Sequence, residues 1–398
     1  MRDVLVLGGG FAGLAAVREL SRRRPPGVRL RLVDKRADSV FAPLLPDAVS
    51  GRVRPEHVSF ALRPFCERCG VEFVHAQVQR IDLNAPTALT SAGEFRADAL
   101  LICLGCGSNY FGNEEARRRA IGLKTIEEAA RVRRAVRQLV AAGPSAGEGD
   151  VRNVVVVGGG YTGFEVASHV AYLLRRMTGR PYRDLRRFCR ILIVDVAPQV
   201  LGNVSPRVRE WALQTIGRFG IEVRSGCTVD SFLGDGVTLS DGSMLGRAVV
   251  AWCAGVTPSP PVAELDVPRT RGGRLEVDEY LRLPGLPNVF AAGDVAGAAP
   301  PGQGGPLRMA VQFSLAEGGC AARNALRVLN RRPLRPFRAV DLGYVVPLAP
   351  GRAAGVILGW ETVGRLPSAL HYAMCSIRSW GWANGSGVLL DLVRGGEA

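Results

Sequence analysis

The chain has 398 residues, room for two or three domains of about 150 residues each, which argues against a single small binding module. With 47% hydrophobic and 22% charged residues it reads as a soluble globular protein, and no apolar run reaches the roughly 18 residues that a membrane-spanning helix needs. The net charge of +15 is almost entirely arginine, Lys35 and Lys124 being the only lysines, so it admits an anionic partner without specifying one.

The N-terminus reads Asp3-Val-Leu-Val-Leu7, then Gly8-Gly-Gly-Phe-Ala-Gly13, then Leu14-Ala-Ala-Val-Arg-Glu-Leu20 with helical spacing. That order is strand, tight turn, helix. In such a dinucleotide fingerprint Gly8 makes the turn, Gly10 lets the backbone approach a pyrophosphate, and Gly13 lets the helix pack closely on the strand. The positive end of the helix, opened by Phe11 and Ala12, then faces the phosphates. A second strand over 28–33 ends in Asp34, about twenty residues after Gly13, where a carboxylate can accept hydrogen bonds from a ribose 2′-hydroxyl. A strand over 71–78, a buried strand over 99–104 closed by Gly105, an amphipathic helix over 126–142 and a linker over 143–150 follow.

The pattern then recurs. Asn153-Val-Val-Val-Val157 leads into Gly158-Gly-Gly-Tyr-Thr-Gly163, with Gly158, Gly160 and Gly163 in the same roles and Tyr161 and Thr162 opening the helix that runs toward Met177. The next strand, 191–194, ends in Asp195; the Arg-rich stretch 175–187, a helix extension or loop insertion, puts that acid later than the usual spacing of about twenty residues. A helix over 207–219, strands near Val223 and Val237, and Val249-Val-Ala-Trp-Cys-Ala-Gly255, which echoes the run ending at Gly105, complete the second copy. Beyond it come Asn288-Val-Phe-Ala-Ala-Gly-Asp294 and a helix over 309–329. The last residues carry strands over 342–348 and 353–358, a helix over 366–380, and a tail over 381–390 that its glycines should break. Two fingerprints on one chain imply two dinucleotides and a redox relay, one cofactor held and the other exchanging. Asp195 favours NADH over NADPH, because a carboxylate facing a 2′-phosphate is a like-charge contact.

Taken together, the GGGFAGL turn with Asp34, Val40-Phe-Ala-Pro-Leu-Leu45, Asn109-Tyr-Phe-Gly112, Gly158-Gly-Gly-Tyr-Thr-Gly-Phe-Glu165, Ala251-Trp-Cys-Ala-Gly255 and Phe290-Ala-Ala-Gly-Asp294 resemble the two-dinucleotide-binding-domain flavoproteins, and most closely the type II NADH dehydrogenases. The resemblance implies an α/β fold of two Rossmann-like domains, for FAD and NADH, the second inserted in the first, with a small C-terminal α+β interface domain. The implied order is 1–125 for the first part of the FAD domain, 151–268 for NADH, 269–335 for the second FAD part, and 336–398 for the interface domain. It also implies that Asp294 contacts the ribityl or pyrophosphate region of FAD. Lys35, Val78, Gly105 and Gly255 join the cofactor-binding set, and Glu165 and Gln312 are the catalytic residues on the quinone side. Glu165 could relay the proton that quinone reduction requires. Two segments depart from the family: Val311-Gln-Phe-Ser-Leu-Ala-Glu-Gly318 keeps Gln312 but has Ala316 and Glu317 for a Gln-Gln pair, and Ala42, Pro46 and Asp47 replace the usual Gln and Tyr-Gln.

The reaction implied is NADH:quinone oxidoreduction; the alternative acceptor is a small metabolite, another small oxidant or a partner redox protein. Cys66-Glu-Arg-Cys69 is a CxxC in the wrong place for a disulfide reductase of this superfamily, and Cys320 has no obvious partner for sulfide:quinone chemistry. The four histidines show no metal spacing, so no metal site is expected. No basic run with interleaved aromatics supports nucleic acid. Met1 leads directly into a strand and the nine cysteines read as reduced thiols, so a cytoplasmic protein is expected. Leu366, Leu370, Ala373, Met374, Ile377 and Trp380 share one helical face. That face suits peripheral contact with the inner face of the cell membrane, and the alternative cover is the core or a homodimer partner.

Overall fold

The computed structural model describes residues 1–141, 151–300 and 305–395. The expected linker over 143–150, and the last residue of the helix before it, lie outside the described residues. The helices used below are α1 (Phe11–Arg23), α2 (Leu45–Ser50), α3 (Ile126–Ala141), α4 (Tyr161–Thr178), α5 (Val311–Leu329), α6 (Arg365–Arg378) and α7 (Trp382–Arg394).

The chain forms two compact units, each of three segments. The first comprises Met1–Ser39, Ala61–Gly107 and Val256–Asp341. Its parallel sheet runs in the order Val289–Ala291, Ala99–Ile102, Arg2–Leu7, Val28–Asp34, Glu72–His75. An antiparallel meander of Val78–Asp82, Thr87–Thr90 and Gly93–Arg96 follows the edge strand. Strands covered on both faces read as unbroken apolar runs, and Leu5, Leu7, Val33, Leu100, Ile102 and Val289 are buried together.

The second unit comprises Val40–Phe60, Ser108–Gly255 and Leu342–Ala398. It repeats the plan: Ile121–Gly122, Ala248–Trp252, Arg152–Val157, Cys189–Asp195 and Ile221–Ser225 in a parallel sheet, then the meander Val229–Leu233, Gly236–Leu239, Met244–Leu245. Its core gathers Val155, Val157, Leu192, Val194, Val250 and Trp252. The fold is therefore α/β with two Rossmann-like halves, as expected. The units divide the chain at other points than the expected 125, 151, 268 and 335, because Ile121–Gly122 pairs with the second sheet and α2 packs on α3 and α4.

Three local expectations need correction. The Arg-rich stretch is neither one extension nor one loop: α4 stops at Thr178 on Gly179, which takes φ +68°, and a single turn Tyr182–Leu185 follows. A third strand, Trp360–Gly364, completes an antiparallel sheet with Gly343–Leu348 and Arg352–Ile357. The tail is not broken by its glycines but is the helix α7. A Cβ at Gly385 would lie 2.6 Å from the Ser376 carbonyl oxygen and one at Gly387 2.4 Å from the His57 ring, so these glycines serve close packing rather than a turn. Asp391 locks the helix by accepting from the Arg54 backbone N–H (2.9 Å), the Arg54 Nε (2.9 Å) and the His57 Nδ1 (2.6 Å).

Candidate functional site

Both glycine turns are built alike, and the reason is steric. In the first unit Gly8 has φ +103°, and a Cβ there would meet the Cys103 carbonyl oxygen at 2.3 Å; at Gly13 it would lie 1.8 Å from the Gly8 carbonyl oxygen. In the second unit Gly158 has φ +111° with the Cys253–Ala254 backbone at 2.8 Å, and a Cβ at Gly163 would lie 1.8 Å from the Gly158 carbonyl oxygen. Gly10 and Gly160, the N-cap residues of α1 and α4, face open space. Neither helix carries an acid in its first turn or a side-chain cap. Both helices thus begin on a glycine with no acid beside their positive ends, which suits an anionic pyrophosphate.

The acids at the strand ends are matched too. Asp34 accepts from Gly9 N–H (2.6 Å) and from Arg36 N–H (2.8 Å), and Asp195 accepts from Gly159 N–H and from Ala197 N–H (2.7 Å). Each carboxylate ties its own glycine turn to the end of the second strand and keeps lone pairs for a ribose hydroxyl. Phe11 and Ala12 open α1, Tyr161 and Thr162 open α4, and Thr162 is exposed. Lys35 is exposed and its carbonyl accepts from the His75 ring (3.0 Å). Val78 is buried in the core of the first unit, at the head of the meander.

Gly105 and Gly255 take φ +62° and +63° just after equivalent strands, and a Cβ at Gly255 would meet the Phe111 ring at 2.5 Å. Asp294 is half-buried and follows Gly293, which has φ +82°. In the first unit the structure therefore brings Gly8, Gly10, Gly13 and Asp34 around one turn. In the second it brings Gly158, Gly160, Gly163, Asp195 and Glu165 around the other.

Glu165 and Gln312 lie in different units. Glu165 is half-buried, and burial, reinforced by the neighbouring Asp47, holds its carboxyl well above the usual range. Gln312 donates to Asp341 Oδ1 (3.1 Å), beside an Arg308–Asp341 ion pair. Glu317, which stands where the family has glutamine, accepts from Gly293 N–H (2.7 Å), and burial pushes its carboxyl up to about 8. At neutral pH it is mostly a neutral acid, closer to the amide it replaces than to a carboxylate.

Two features outside the expected site residues also shape the units. Gly318 lets α5 reach α1, since a Cβ there would lie 2.0 Å from the Ala12 carbonyl oxygen. His169 and Tyr372 complete a buried polar cluster around Asp47. The family spacing already pointed to Gly318, whereas nothing in the chain order joins Asp47 to Tyr372.

None of the nine cysteines is in a disulfide. Burial pushes the Cys66, Cys103 and Cys253 thiols up to about 12, so they are not poised for thiolate chemistry. Among the described residues no group of three or more His, Cys, Asp or Glu side chains is arranged to hold a metal ion.

Two matched dinucleotide turns on paired parallel sheets define a two-domain, dinucleotide-binding oxidoreductase. The chain belongs to the pyridine nucleotide-disulphide oxidoreductase family, whose model matches residues 2–318. It is a FAD-dependent enzyme. It is 26% identical over 370 residues to proteins named type II NADH:quinone oxidoreductase from Staphylococcus saprophyticus and Staphylococcus aureus, covering 92% of both chains in each case. Its fold is shared with NDH2 from Plasmodium falciparum solved in complex with NADH, at 16% identity and a TM-score of 0.83 over 99% of this chain and 98% of that one. A sulfide:quinone oxidoreductase from Aquifex aeolicus matches at 19% identity and a TM-score of 0.78 over 97% and 92%.

Proposed function

We propose that the chain is an NADH:quinone oxidoreductase: Gly8, Gly10, Gly13, Asp34 and Asp294 hold FAD, and Gly158, Gly160, Gly163 and Asp195 admit NADH. When bound, FAD would supply the chemistry that couples hydride transfer from NADH to two-electron reduction of the quinone. The chain itself positions the dinucleotides and handles the proton. The observation that carries the reading is Glu165, a half-buried acid just past the Gly163 turn of the second fingerprint, whose carboxyl burial holds well above the usual range. Quinone reduction consumes a proton, and an acid held protonated can donate it. Full-length similarity to the staphylococcal type II enzymes supports the same acceptor. Stopped-flow reoxidation of the NADH-reduced protein by menaquinone and ubiquinone analogues tests it. Fast reoxidation is expected, and reoxidation by oxygen or dyes alone would point to a different acceptor.

The second turn also sets the choice of nicotinamide. Asp195 is followed by Val196, which is 71% exposed, and no arginine lies in Val196-Ala-Pro-Gln-Val200 to meet a 2′-phosphate. The like-charge contact leads to a kcat/KM for NADH at least about tenfold above that for NADPH. Equal values in steady-state assays would remove the role given to Asp195.

Among the described residues no helix is long and apolar enough to cross a membrane. The α6–α7 hairpin nevertheless turns Leu366, Leu370, Ile377, Trp382, Leu390 and Val393 outward, with Ile377 77%, Trp382 96% and Val393 87% exposed. Trp380 does not join this face but stacks on Phe60, with ring centroids 6.5 Å apart. The hairpin lies on the headgroup region of an anionic membrane, with Arg365 and Arg378 at the ends of α6 beside the lipid phosphates. Replacing Ile377 and Trp382 together by Ser is expected to weaken cosedimentation with anionic phospholipid vesicles by tenfold or more, since about 1.5–3 kcal/mol is lost per large apolar side chain. Unchanged sedimentation would exclude the hairpin as the contact.

A further inference from the structure

One buried polar cluster is not used by the cofactor turns. It lies wholly in the second unit, where α2, α4 and α6 meet around Asp47, which is 1% exposed. The Tyr372 hydroxyl donates to Asp47 Oδ1 (3.0 Å) and accepts from Arg52 Nη1 (2.6 Å), and the same guanidinium nitrogen is 3.5 Å from Asp47 Oδ1. Ser50 donates to the Asp47 carbonyl oxygen (2.9 Å), which leaves its own oxygen to accept from His169 Nδ1 (2.8 Å). The other ring nitrogen, His169 Nε2, lies 3.7 Å from Asp47 Oδ1. His169 and Glu165 lie one helical turn apart on α4, so the face that meets α2 also carries Glu165.

We propose that Asp47 is a positioning acid for Glu165: its charge, changing across α2 and α4, sets how firmly Glu165 holds the proton that quinone reduction consumes. The inference rests on the function proposed above. The overall reaction is NADH + H⁺ + quinone → NAD⁺ + quinol: the hydride brings two electrons and one proton, Glu165 gives the second proton to the quinol oxygen, and water restores it.

The groups around Asp47 make it the titrating partner. Arg52 and Arg133, the latter with its guanidinium over Gly51, stay charged. Burial keeps His169 neutral and draws His371 down to about 4, and it holds the Cys375 thiol and the Tyr372 hydroxyl protonated. Just beyond α2, Arg54 and His57 are turned to Asp391. Burial raises Asp47 to about 6, against the pull of Arg52 and Tyr372, and the resulting anion lifts Glu165.

The sign follows. Above about pH 6 Asp47 is ionised, and a second anion nearby is disfavoured, so the Asp47 charge raises the Glu165 carboxyl beyond what burial alone does. Asp47→Asn removes that repulsion. The midpoint of the Glu165 carboxyl stretch, followed by infrared titration and identified by its loss in Glu165→Gln, is expected to fall by about one pH unit, and the alkaline limb of the quinone reduction rate to fall with it. A midpoint and limb that stay where they are in the wild type would overturn the proposal.

Tyr372→Phe keeps the carboxyl but removes the hydroxyl that stabilises its anion, so a smaller shift in the same direction is expected even if Asp47→Asn does not fold. No shift in that variant also counts against the proposal. The infrared arm needs no acceptor, so a wild type that reduces no quinone would sink the proposed function while the carboxyl titration still decides the role of Asp47.

Discussion

Gly163→Ala is expected to yield a yellow protein that NADH bleaches at least about a hundred times more slowly than the wild type, because a misplacement of about 1 Å in a reacting geometry costs on the order of 10²-fold. The added methyl would sit 1.8 Å from the Gly158 carbonyl oxygen, a distance no relaxed structure tolerates. The obstacle is backbone, not a flexible side chain, so the first turn of α4 must lift away from the turn that precedes it. That displaces the N-terminus of α4 at Gly160, where the proposed function seats the nicotinamide dinucleotide pyrophosphate. The first unit has its own turn at Gly8, Gly10 and Gly13, so flavin is expected to remain. Anaerobic reduction followed by visible absorbance reads both properties at once. A variant that NADH reduces as fast as the wild type would show that the second turn does not receive the nicotinamide.

Glu165→Gln is the second large effect. The amide keeps the size of the side chain and removes the transferable proton, and a positioned acid is worth about 10²–10⁴ in rate. The reoxidation of the reduced protein by quinone is expected to slow by about a hundredfold or more, with the fall concentrated in that step. The pH dependence has a fixed direction. Burial raises the Glu165 carboxyl, so the wild-type rate is highest where the acid is protonated and declines as the pH rises through its midpoint. The Gln variant should lose that alkaline decline. A Gln variant that keeps both the rate and the decline would assign the proton to another group.

Raised acids also bear on stability. Glu317 and Asp47 both have folded values above the usual carboxyl range, at about 8 and about 6. The folded chain therefore binds protons that the unfolded chain has released. The associated stability is present below the ordinary carboxyl range and is lost as the pH rises toward those values.

Much of the architecture is legible along the chain because its determinants are local. A strand, a glycine turn and a helix within about twenty residues fix their own geometry, and the acid at the next strand end follows from the same βαβ unit. The turns at Gly8 and Gly158, the helices after them and the strands ending at Asp34 and Asp195 could thus be read before any contact was known. The same local rule misread the tail. Gly385 and Gly387 weaken a helix in isolation, yet α7 forms because those positions pack against Ser376 and His57, residues the tail's own sequence does not reveal.

The sequence by itself determined the two glycine turns and which of their glycines tolerate no side chain, since a backbone that must pass within van der Waals distance of itself leaves no choice of residue. Only the tertiary structure decided the company of Asp47: Arg52, His169 and Tyr372 come from a loop and two helices far apart in the chain. A proton's affinity depends on every charge and dipole around it in three dimensions, and the order of residues does not record that neighbourhood.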